Sequence, residues 1–421
     1  MKEREAIALP DSQVLVLGNG FDLQCGLKTR FEDFMQTRIA RVEEIEDMLS
    51  SSEDPPLITV QRPDGNELHG NNLSYFLWGE GLTVWDVILF EDKQQRAWYD
   101  VEECIKDWVD YSSPSASSTP HLQQICDAFE PPDKDHWPDL QGPIKADQCV
   151  LAYATDLYSW DGHPGSLLDI LLDQLNYFES WFATYIEEQI RSNRRYSSYV
   201  DDLLSCLAND EMSEPVLDMS YNNDRYSASP GFTNILDFNY TEPVKKTWKN
   251  GPTCLNVHGL ARADDIIFGI DGTNISPEQE CYANIVKFTK TYRIMALNSI
   301  AHPSLVRPYL SSDPDSATGT IKFFGHSLAE ADYSYFQAIF DEVSLYESNT
   351  RLIFYYNKRR LGGENAQAEM FDKVNHLITT YGQTLDNKDH GRNLLHKLLL
   401  EGRLIIKQVP LDSYDVRIGN N

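Results

Sequence analysis

The sequence predicts an α/β fold, in which a mostly parallel sheet with helices on both faces carries a large, mainly helical insertion. The first sign is a short apolar run, residues 14–17, that leads directly into a turn bracketed by Gly18 and Gly20. The second is the alternation of strand-like and helix-like segments from residue 215 onward, which is typical of a parallel sheet. The third is that polar motifs follow strands near both ends of the chain, so the helical middle is predicted to be an insertion.

The chain of 421 residues exceeds the length of one ordinary domain. We assign residues 1–49 and 215–421 to the sheet domain and residues 50–214 to the helical insertion. Because the insertion interrupts a domain whose motifs lie on both sides of it, we expect it to close over the site as a cap.

The turn after the first strand suits a nucleotide phosphate. Glycines at positions 18 and 20 permit close approach of the main chain, and Gly26 lets the next helix pack tightly on its strand. Asp22 lies inside this turn, where its charge would repel a phosphate, so we expect it to meet a ribose hydroxyl or to cap the helix. The same glycines would also occur where the chain only has to turn sharply at the end of a strand, without binding a nucleotide.

Two long helices are predicted before residue 215. Residues 28–49 have helical periodicity with apolar side chains on one face, and a polar stretch with turn-forming proline and glycine follows over residues 50–72. Residues 166–190 form the longest periodic segment. Their apolar side chains recur at spacings of three and four, which predicts a buried stripe.

The later strands and helices alternate along the chain. Strands are predicted at residues 215–219, 234–238, 255–257, 266–268, 321–324, 352–355 and 404–406. Helices are predicted at residues 241–249, 278–300, 328–346, 366–381 and 393–400. This order favours parallel strands, because each helix can return the chain to the starting edge of the sheet.

The composition argues against several classes of partner. With 65 acidic and 36 basic residues the formal net charge is −29, which opposes binding to nucleic acid or anionic lipid. The seven cysteines are scattered without a Cys-x-x-Cys pair, no apolar signal segment opens the chain, and no apolar run approaches the roughly 20 residues that span a bilayer. We therefore expect a soluble cytoplasmic protein without a membrane or nucleic-acid partner.

Three further strand ends carry polar residues that suit a ligand crevice. They are residues 237–241, the pair His258 and Gly259, and residues 325–327 with Asp332 after them. In an open parallel sheet the carboxyl ends of all strands share one edge, where ligands bind. We therefore expect these motifs to converge with the first turn in one crevice.

Each of these polar residues also has a structural interpretation. Asn239 could cap the helix predicted to follow it, and His258 could be a half-buried imidazole with its hydrogen bonds satisfied. Ser327 and Asp332 could start and stabilise the next helix. No metal site is predicted, because no two of the ten histidines have ligand spacing and no carboxylate cluster accompanies them.

Several motifs together resemble the AbiH family of bacterial phage abortive-infection proteins. The resemblance rests on residues 18–23, Gly26-Leu27 and Phe31 near the start, and on Trp98-Tyr-Asp-Val-Glu102 in the middle. Later it rests on Phe238-Asn-Tyr-Thr241, His258-Gly259, Ile267-Phe-Gly269, Gly325-His-Ser-Leu328, Asp332, Tyr335 and Phe336. It implies a role in defence against phage.

The order of these motifs is also similar to that of the Rossmann-like sirtuin (DHS-like) NAD-binding fold. This similarity implies a pyrophosphate at Gly18, Gly20 and Phe21, and a reacting ribose between Asn239 and His258. It implies that two residues meet the adenosine: Gly325 and Ser327. Neighbouring motif positions complete the nucleotide-binding set: Asn19, Tyr240, Gly259, His326 and Asp332. The chain has no four-cysteine zinc module, which argues against protein deacetylation.

The leading hypothesis is hydrolysis of the N-glycosidic bond of NAD(P) or a related nucleotide, with no further cofactor. Nicotinamide leaves as a neutral group, so the reaction needs a polar group for water or the ribose hydroxyls and a base. Asn239 suits the first role and His258 the second, since an unperturbed imidazole has a pKa of about 6.5. Asp22 could stabilise the cationic sugar.

Two other classes of function remain open from the sequence. One is a nucleotide-sensing or scaffold protein whose crevice binds a ligand without turnover. The other is a nuclease, which the charge and the lack of a carboxylate metal cluster disfavour. A phage-derived trigger and a second copy of the chain are further candidate partners.

Overall fold

The computed structural model describes residues 12–51, 58–61, 67–70, 81–95, 101–109, 146, 150, 167–211, 233–244, 252–272, 275–278, 282–297, 304–310, 312, 317–357 and 365–411. Within these residues the main sheet has six strands, and all of them are parallel. The strands are β1 Gln13–Leu17, β4 Thr233–Asp237, β5 Thr253–Asn256, β6 Thr320–Phe324, β7 Arg351–Tyr356 and β8 Leu404–Gln408. Strands β2, Ile58–Gln61, and β3, Glu67–Gly70, form a separate antiparallel pair within the polar stretch.

The described helices alternate with the later strands, as the sequence predicts for a mixed α/β protein. In chain order they are α1 Gly20–Gln24, α2 Phe31–Ser51, α3 Val84–Gln95, α4 Val101–Val109, α5 Leu167–Ser192, α6 Tyr196–Asn209, α7 Tyr282–Ile285, α8 Lys290–Leu297, α9 Tyr333–Glu342, α10 Ala366–Thr384 and α11 Lys388–Leu400. The α/β class and the parallel sheet are therefore confirmed.

The strand order is β5-β4-β1-β6-β7-β8. From β1 the chain moves outward through β4 to β5, and then returns to the opposite side of β1 as β6. It continues outward through β7 to β8. The direction of progress thus reverses between β1 and β6, which makes the carboxyl ends of these two central strands the switch point of the sheet.

Both faces of the sheet are buried by apolar side chains. Alternate residues of β1 point to opposite faces, so Val14 and Val16 belong to one apolar cluster whereas Leu15 and Leu17 belong to the other. Helices α9, α10 and α11 contribute to the first cluster, and α6 contributes to the second. Because both faces of the sheet are buried at β1, this strand has an unbroken apolar sequence.

Two predicted elements of the second half of the chain are wrong in detail. Residues 266–268 are buried but do not form a strand; the nearest pairing is an isolated bridge between Ile270 and Thr289. The long helix predicted over residues 278–300 is interrupted, because Thr289 adopts an extended conformation between a short 3-10 turn and α8.

The other differences concern where helices begin. Residues 241–244 are not helical, and Pro243 disfavours helical geometry at the residue before it. The helix predicted to begin at Leu328 begins at Tyr333, since Leu328 has a left-handed φ of 58°. The predicted strand over residues 215–219 lies outside the described residues.

The chain divides into two compact units. The first comprises Met1–Thr29, Ile186–Leu260 and Ile300–Asn421 and contains the six-stranded sheet; the second comprises Arg30–Tyr185 and Ala261–Ser299. The domain bounds predicted above, residues 1–49 with 215–421 and residues 50–214, stay a prediction.

The second unit has its own core. Phenylalanine rings pack together in it, with centroid separations such as 5.1 Å between Phe34 and Phe182 and 5.4 Å between Phe182 and Phe268. A buried ion pair joins Glu179 to Arg293 through contacts of 2.5 and 2.6 Å. No helix among the described residues is long and apolar enough to cross a membrane.

Candidate functional site

The loops that leave β1, β4, β5 and β6 meet at the edge formed by the carboxyl ends of the strands, which we term the carboxyl edge. Strand β4 lies beside β1 on one side and β6 lies beside it on the other. The segments around Gly18, Asn239, His258 and Gly325 therefore lie at the same edge, as predicted, although more than 300 residues separate the first from the last. Their roles toward a ligand stay predictions.

The loops after β1 and β6 are in direct main-chain contact. The amide of Gly18 donates to Phe324 O at 3.0 Å, and the amide of Gly20 donates to Gly325 O at 2.8 Å. A Cβ atom on Gly20 would lie 2.5 Å from the Cα of Gly325. The glycines of the first turn are thus required for close packing of two loops at the point where the strand order reverses.

This packing also uses the first amides of the turn. Besides Gly18 and Gly20, the amide of Phe21 donates to Gly18 O at 2.8 Å. The Phe21 side chain is buried and contacts Phe324 edge to face. A phosphate bound at this turn would therefore need donors other than these three amides.

Replacing Gly325 with alanine is expected to destabilise the first unit by about 2–4 kcal/mol. Gly325 has a φ of +76°, and a Cβ there would lie 2.7 Å from the carbonyl carbon of Gly20 and closer still to Phe21 N. Gly402 is the matched control, because it has a φ of +66° but a Cβ there would meet no described atom within 4 Å. Urea denaturation of both variants should show the larger loss for Gly325→Ala, and equal losses would contradict a steric role for the loop contact.

Asp22 is buried beneath the first turn. The hydroxyl of Tyr196 donates to its Oδ1 at 2.7 Å, and the hydroxyl of Thr241 donates to its Oδ2 at 2.9 Å. Burial raises the pKa of Asp22 from 3.8 to about 6, and these two hydrogen bonds oppose that rise. Near neutral pH this position therefore holds a buried negative charge that hydroxyl groups stabilise.

A second buried carboxyl group, Asp237, ends strand β4. Burial, followed by the negative charge of Asp22, raises its pKa well above the ordinary value. The amide of Asn239 donates to Asp237 Oδ1 at 3.0 Å, and Asn256 Nδ2 donates to Asn239 O at 2.9 Å. Asp237 and Asn256 therefore fix the main chain that presents Asn239.

Asn239 is 3 % exposed. Its Nδ2 atom makes no hydrogen bond of normal geometry to the residues that the structure describes, although the Asn239 side chain lies close enough to Asp237 to lower the pKa of that carboxyl group. A buried amide donor without an acceptor costs about 1–3 kcal/mol, so the site retains an unfavourable group that a ligand oxygen could satisfy. This atom is therefore a candidate for contact with a ligand.

The raised pKa of Asp22 predicts how stability depends on pH. Between about pH 4 and pH 6 the folded state holds this proton whereas the unfolded state has lost it, so stability falls as pH rises through that window. The expected loss is about 3 kcal/mol, and Asp22→Asn should remove this part of the slope. Thermal unfolding from pH 4 to 7 measures both curves. Parallel curves for the parent and the variant would contradict the assignment.

Two imidazoles and a carboxylate form a second cluster at the carboxyl edge. His258 Nε2 lies 3.4 Å from Asp332 Oδ1, and His326 Nε2 lies 3.3 Å from Asp332 Oδ2. The ring of Phe238 meets both imidazoles edge to face, at centroid distances of 5.4 and 4.6 Å. We call His258, His326 and Asp332 the imidazole–carboxylate cluster.

The other predicted site residues have more varied surroundings. Asn19 is exposed, and its side chain both accepts from and donates to Thr29. Ser327 is exposed and accepts a hydrogen bond from the amide of Ala329 at 3.4 Å, which lies within the turn that precedes α9. Tyr240 and Gly259 are partly exposed next to Asn239 and His258, respectively.

Sequence reasoning missed several polar residues of this site. Asp237 was within a recognised motif but had no role assigned to it, and Asn256 ends β5 just before His258. Tyr196 opens α6, far from any motif, and nothing in its local sequence indicates contact with Asp22. A polar residue at the end of an apolar strand was the signal that could have identified the first two.

The described residues contain no group of three or more His, Cys, Asp or Glu side chains that could hold a metal ion. Comparison with known proteins gives one family. The family model described as "Bacteriophage abortive infection AbiH" matches residues 14–356. Neither the curated proteins nor the solved structures yielded a match.

Proposed function

Because the chain belongs to the AbiH family of bacteriophage abortive-infection proteins, which implies a role in phage defence, we propose that it acts by hydrolysing the N-glycosidic bond of NAD(P) or a related nucleotide. The observation that carries the proposal is the buried, unsatisfied Nδ2 of Asn239, which lies at the carboxyl edge with the imidazole–carboxylate cluster. Loss of this cofactor would stop growth of the infected cell before phage are released.

The topology of the first unit supports a nucleotide ligand. Numbered from β1 through successive strands of the main sheet, the order is 3-2-1-4-5-6, which is common to Rossmann-like dinucleotide-binding sheets. Such sheets bind their ligand where the order reverses, and the loops after β1 and β6 meet there. We extend the proposal to a sirtuin-like arrangement, with the helical insertion acting as the cap.

The chemistry of the site suits this reaction. Water adds to C1′ of the ribose as the bond to nicotinamide breaks, and the bonding electron pair leaves with the neutral pyridine ring. The transition state is a cationic sugar, which the buried charge of Asp22 would stabilise. Asn239 would hold the ribose hydroxyls or the water, and His258 would accept the proton that the water loses.

Metabolite measurements during infection test the proposal. Cells that express the parent chain should lose NAD(P) and gain ADP-ribose or its 2′-phosphate after phage addition, whereas cells that express Asn239→Ala should retain their NAD(P). Uninfected cells reveal whether a phage-derived trigger is needed. Unchanged pools of NAD, NADP and related nucleotides in protected cells would contradict hydrolysis.

A second candidate function is nucleotide sensing without turnover. One observation favours it: His258 is only 4 % exposed, so little water can reach the proposed base. Such a site would hold a ligand to control a partner or a second copy of the chain. Calorimetry that detects binding of ADP-ribose or NAD, with no product formed, would favour this function.

A further inference from the structure

We propose that Thr241 is a positioning residue, which holds the buried side chain of Asp22 in the charged form that the proposed hydrolysis requires. The inference rests on that hydrolysis for its catalytic meaning, although the state of Asp22 is measurable without turnover. Thr241 ends the Phe238-Asn-Tyr-Thr241 motif, in which the sequence suggests ligand contacts for Asn239 and Tyr240 only. It is 1 % exposed, so its hydroxyl group must find its partners within the protein.

The Thr241 hydroxyl group faces both oxygens of the Asp22 carboxyl group. Thr241 Oγ1 lies 2.9 Å from Oδ2 and 3.1 Å from Oδ1, and the Tyr196 hydroxyl donates to Oδ1 at 2.7 Å. Asp22 is itself buried, so water contributes little to its solvation. Hydrogen bonds donated to a carboxylate favour its charged form. The two hydroxyl groups therefore replace part of the hydration that burial removes.

No cation compensates the charge of Asp22 within the described part of the chain. The ionisable groups that interact with Asp22 there are Tyr196 on α6 and Asp237 at the end of β4. Cys25, just after α1, interacts with Tyr196 in turn. None of these groups is basic, so the charge of Asp22 depends on the two hydroxyl donors.

Asp22 and Asp237 are a pair of buried carboxyl groups, and Asp22 is the more acidic of the two. Asp237 accepts from the amide of Asn239 at 3.0 Å and from Asn256 Nδ2 at 3.3 Å, which are longer contacts than the closest two of Asp22. Burial raises the pKa of Asp237 well above its usual range, whereas it raises that of Asp22 to about 6. Near neutral pH the negative charge of the pair therefore lies on Asp22.

The main chain of Thr241 is fixed as well. Asn256 Nδ2, at the end of β5, donates to Thr241 O at 2.6 Å and to Asn239 O at 2.9 Å. These bonds tie the loop after β4 to the neighbouring strand, so the Thr241 hydroxyl is already oriented toward Asp22. Donors that are oriented in advance need no reorganisation during a reaction, which is what makes a fixed charge effective.

Variants of two buried threonines test this role. Thr241→Val keeps the shape of the side chain but removes the hydroxyl group, and Thr241→Ala removes it without a branched replacement. Thr241→Ser retains the hydroxyl group. Thr350→Val is the matched control, since Thr350 is buried and its hydroxyl donates to a neutral acceptor, Thr318 O, at 2.8 Å.

The free energy of unfolding at about pH 5 and about pH 8 measures the role without any substrate. In the folded state Asp22 is mostly protonated at the lower pH and ionised at the higher, so Thr241→Val and Thr241→Ala should cost more at the higher pH. Thr350→Val, and Thr241→Val in an Asp22→Asn background, should each cost the same at both values. Equal costs of Thr241→Val and Thr241→Ala at both values, or a pH dependence that persists with Asp22→Asn, would overturn the inference.

Kinetics separate this inference from the proposed function. If the parent hydrolyses NAD, the acid limb of its kcat profile should move roughly one pH unit higher in Thr241→Val and stay in place in Thr241→Ser, because only the first variant removes a donor to the charged group. A kcat lowered by the same factor at every pH would overturn the positioning role. If the parent proves inactive, the proposed function fails, and the unfolding measurements alone decide the inference.

Discussion

Replacement of His258 by glutamine is expected to lower kcat for NAD hydrolysis by roughly 10²–10⁴-fold, the usual contribution of a positioned general base. Glutamine fills a similar volume and can hydrogen-bond to Asp332, so the variant should remain folded. Under the proposed mechanism the residual reaction would depend on Asn239 to hold the water and on Asp22 to stabilise the cationic sugar. Protection of cells against phage should be lost together with the activity.

The matched control for His258→Gln is His376→Gln. His376 lies on α10 with its side chain 63 % exposed, and it lies near the acidic surface residue Glu330. Its replacement should leave both hydrolysis and phage protection unchanged. Nicotinamide release measured at saturating NAD separates the two variants, and a His258→Gln protein as fast as the parent would remove His258 from the mechanism.

Replacement of Glu179 by methionine is expected to destabilise the second unit by about 3–5 kcal/mol, because it leaves a buried guanidinium without its carboxylate. Arg293 also donates to Phe268 O at 2.7 Å and to Asn176 Oδ1 at 2.6 Å, but neither acceptor neutralises its charge. An arginine side chain cannot lose its proton at any ordinary pH. Urea denaturation at about pH 8, where the Glu179 carboxyl group of the parent is ionised, measures this loss.

The reciprocal variant, Arg293→Met, should behave differently with pH. Burial raises the pKa of Glu179 from 4.5 to about 7 even with the arginine opposing that rise. Without Arg293 the carboxyl group can take up a proton, so the folded state binds more protons than the unfolded state and stability falls as pH rises. Denaturation at about pH 5 and about pH 8 should show a smaller loss at the lower pH for Arg293→Met. A loss equal at both values would contradict this interpretation.

Local sequence patterns were sufficient to predict most of the sheet. The run at residues 14–17 and the later apolar runs at 321–324 and 352–355 are buried strands, because a strand covered on two faces has no polar side to display. The run at residues 266–268 has the same composition but lies in the second unit and pairs with no strand in the described part of the chain. Apolar composition indicates burial more reliably than it indicates pairing.

Much of the candidate site could not be predicted from local patterns, because its side-chain contacts join residues that are distant in sequence. The strand-end motifs predicted which loops lie together, because parallel strands end at one edge. No local pattern indicates that Lys322, inside β6, is buried and donates to carbonyl oxygens at the end of α6. The same is true of the contact between Tyr196 and Asp22. Such pairs depend on which helix packs on which strand, and that depends on the whole fold.

Product analysis with purified protein tests the central claim most directly. The parent chain is incubated with NAD or NADP, alone and with extract of phage-infected cells. Nicotinamide and the second product, ADP-ribose from NAD or its 2′-phosphate from NADP, are quantified by chromatography. We predict equimolar release of the two products by the parent and by Glu330→Gln, with none above background from Asn239→Ala. Intact dinucleotide under every condition, or products formed equally well by Asn239→Ala, would contradict the account.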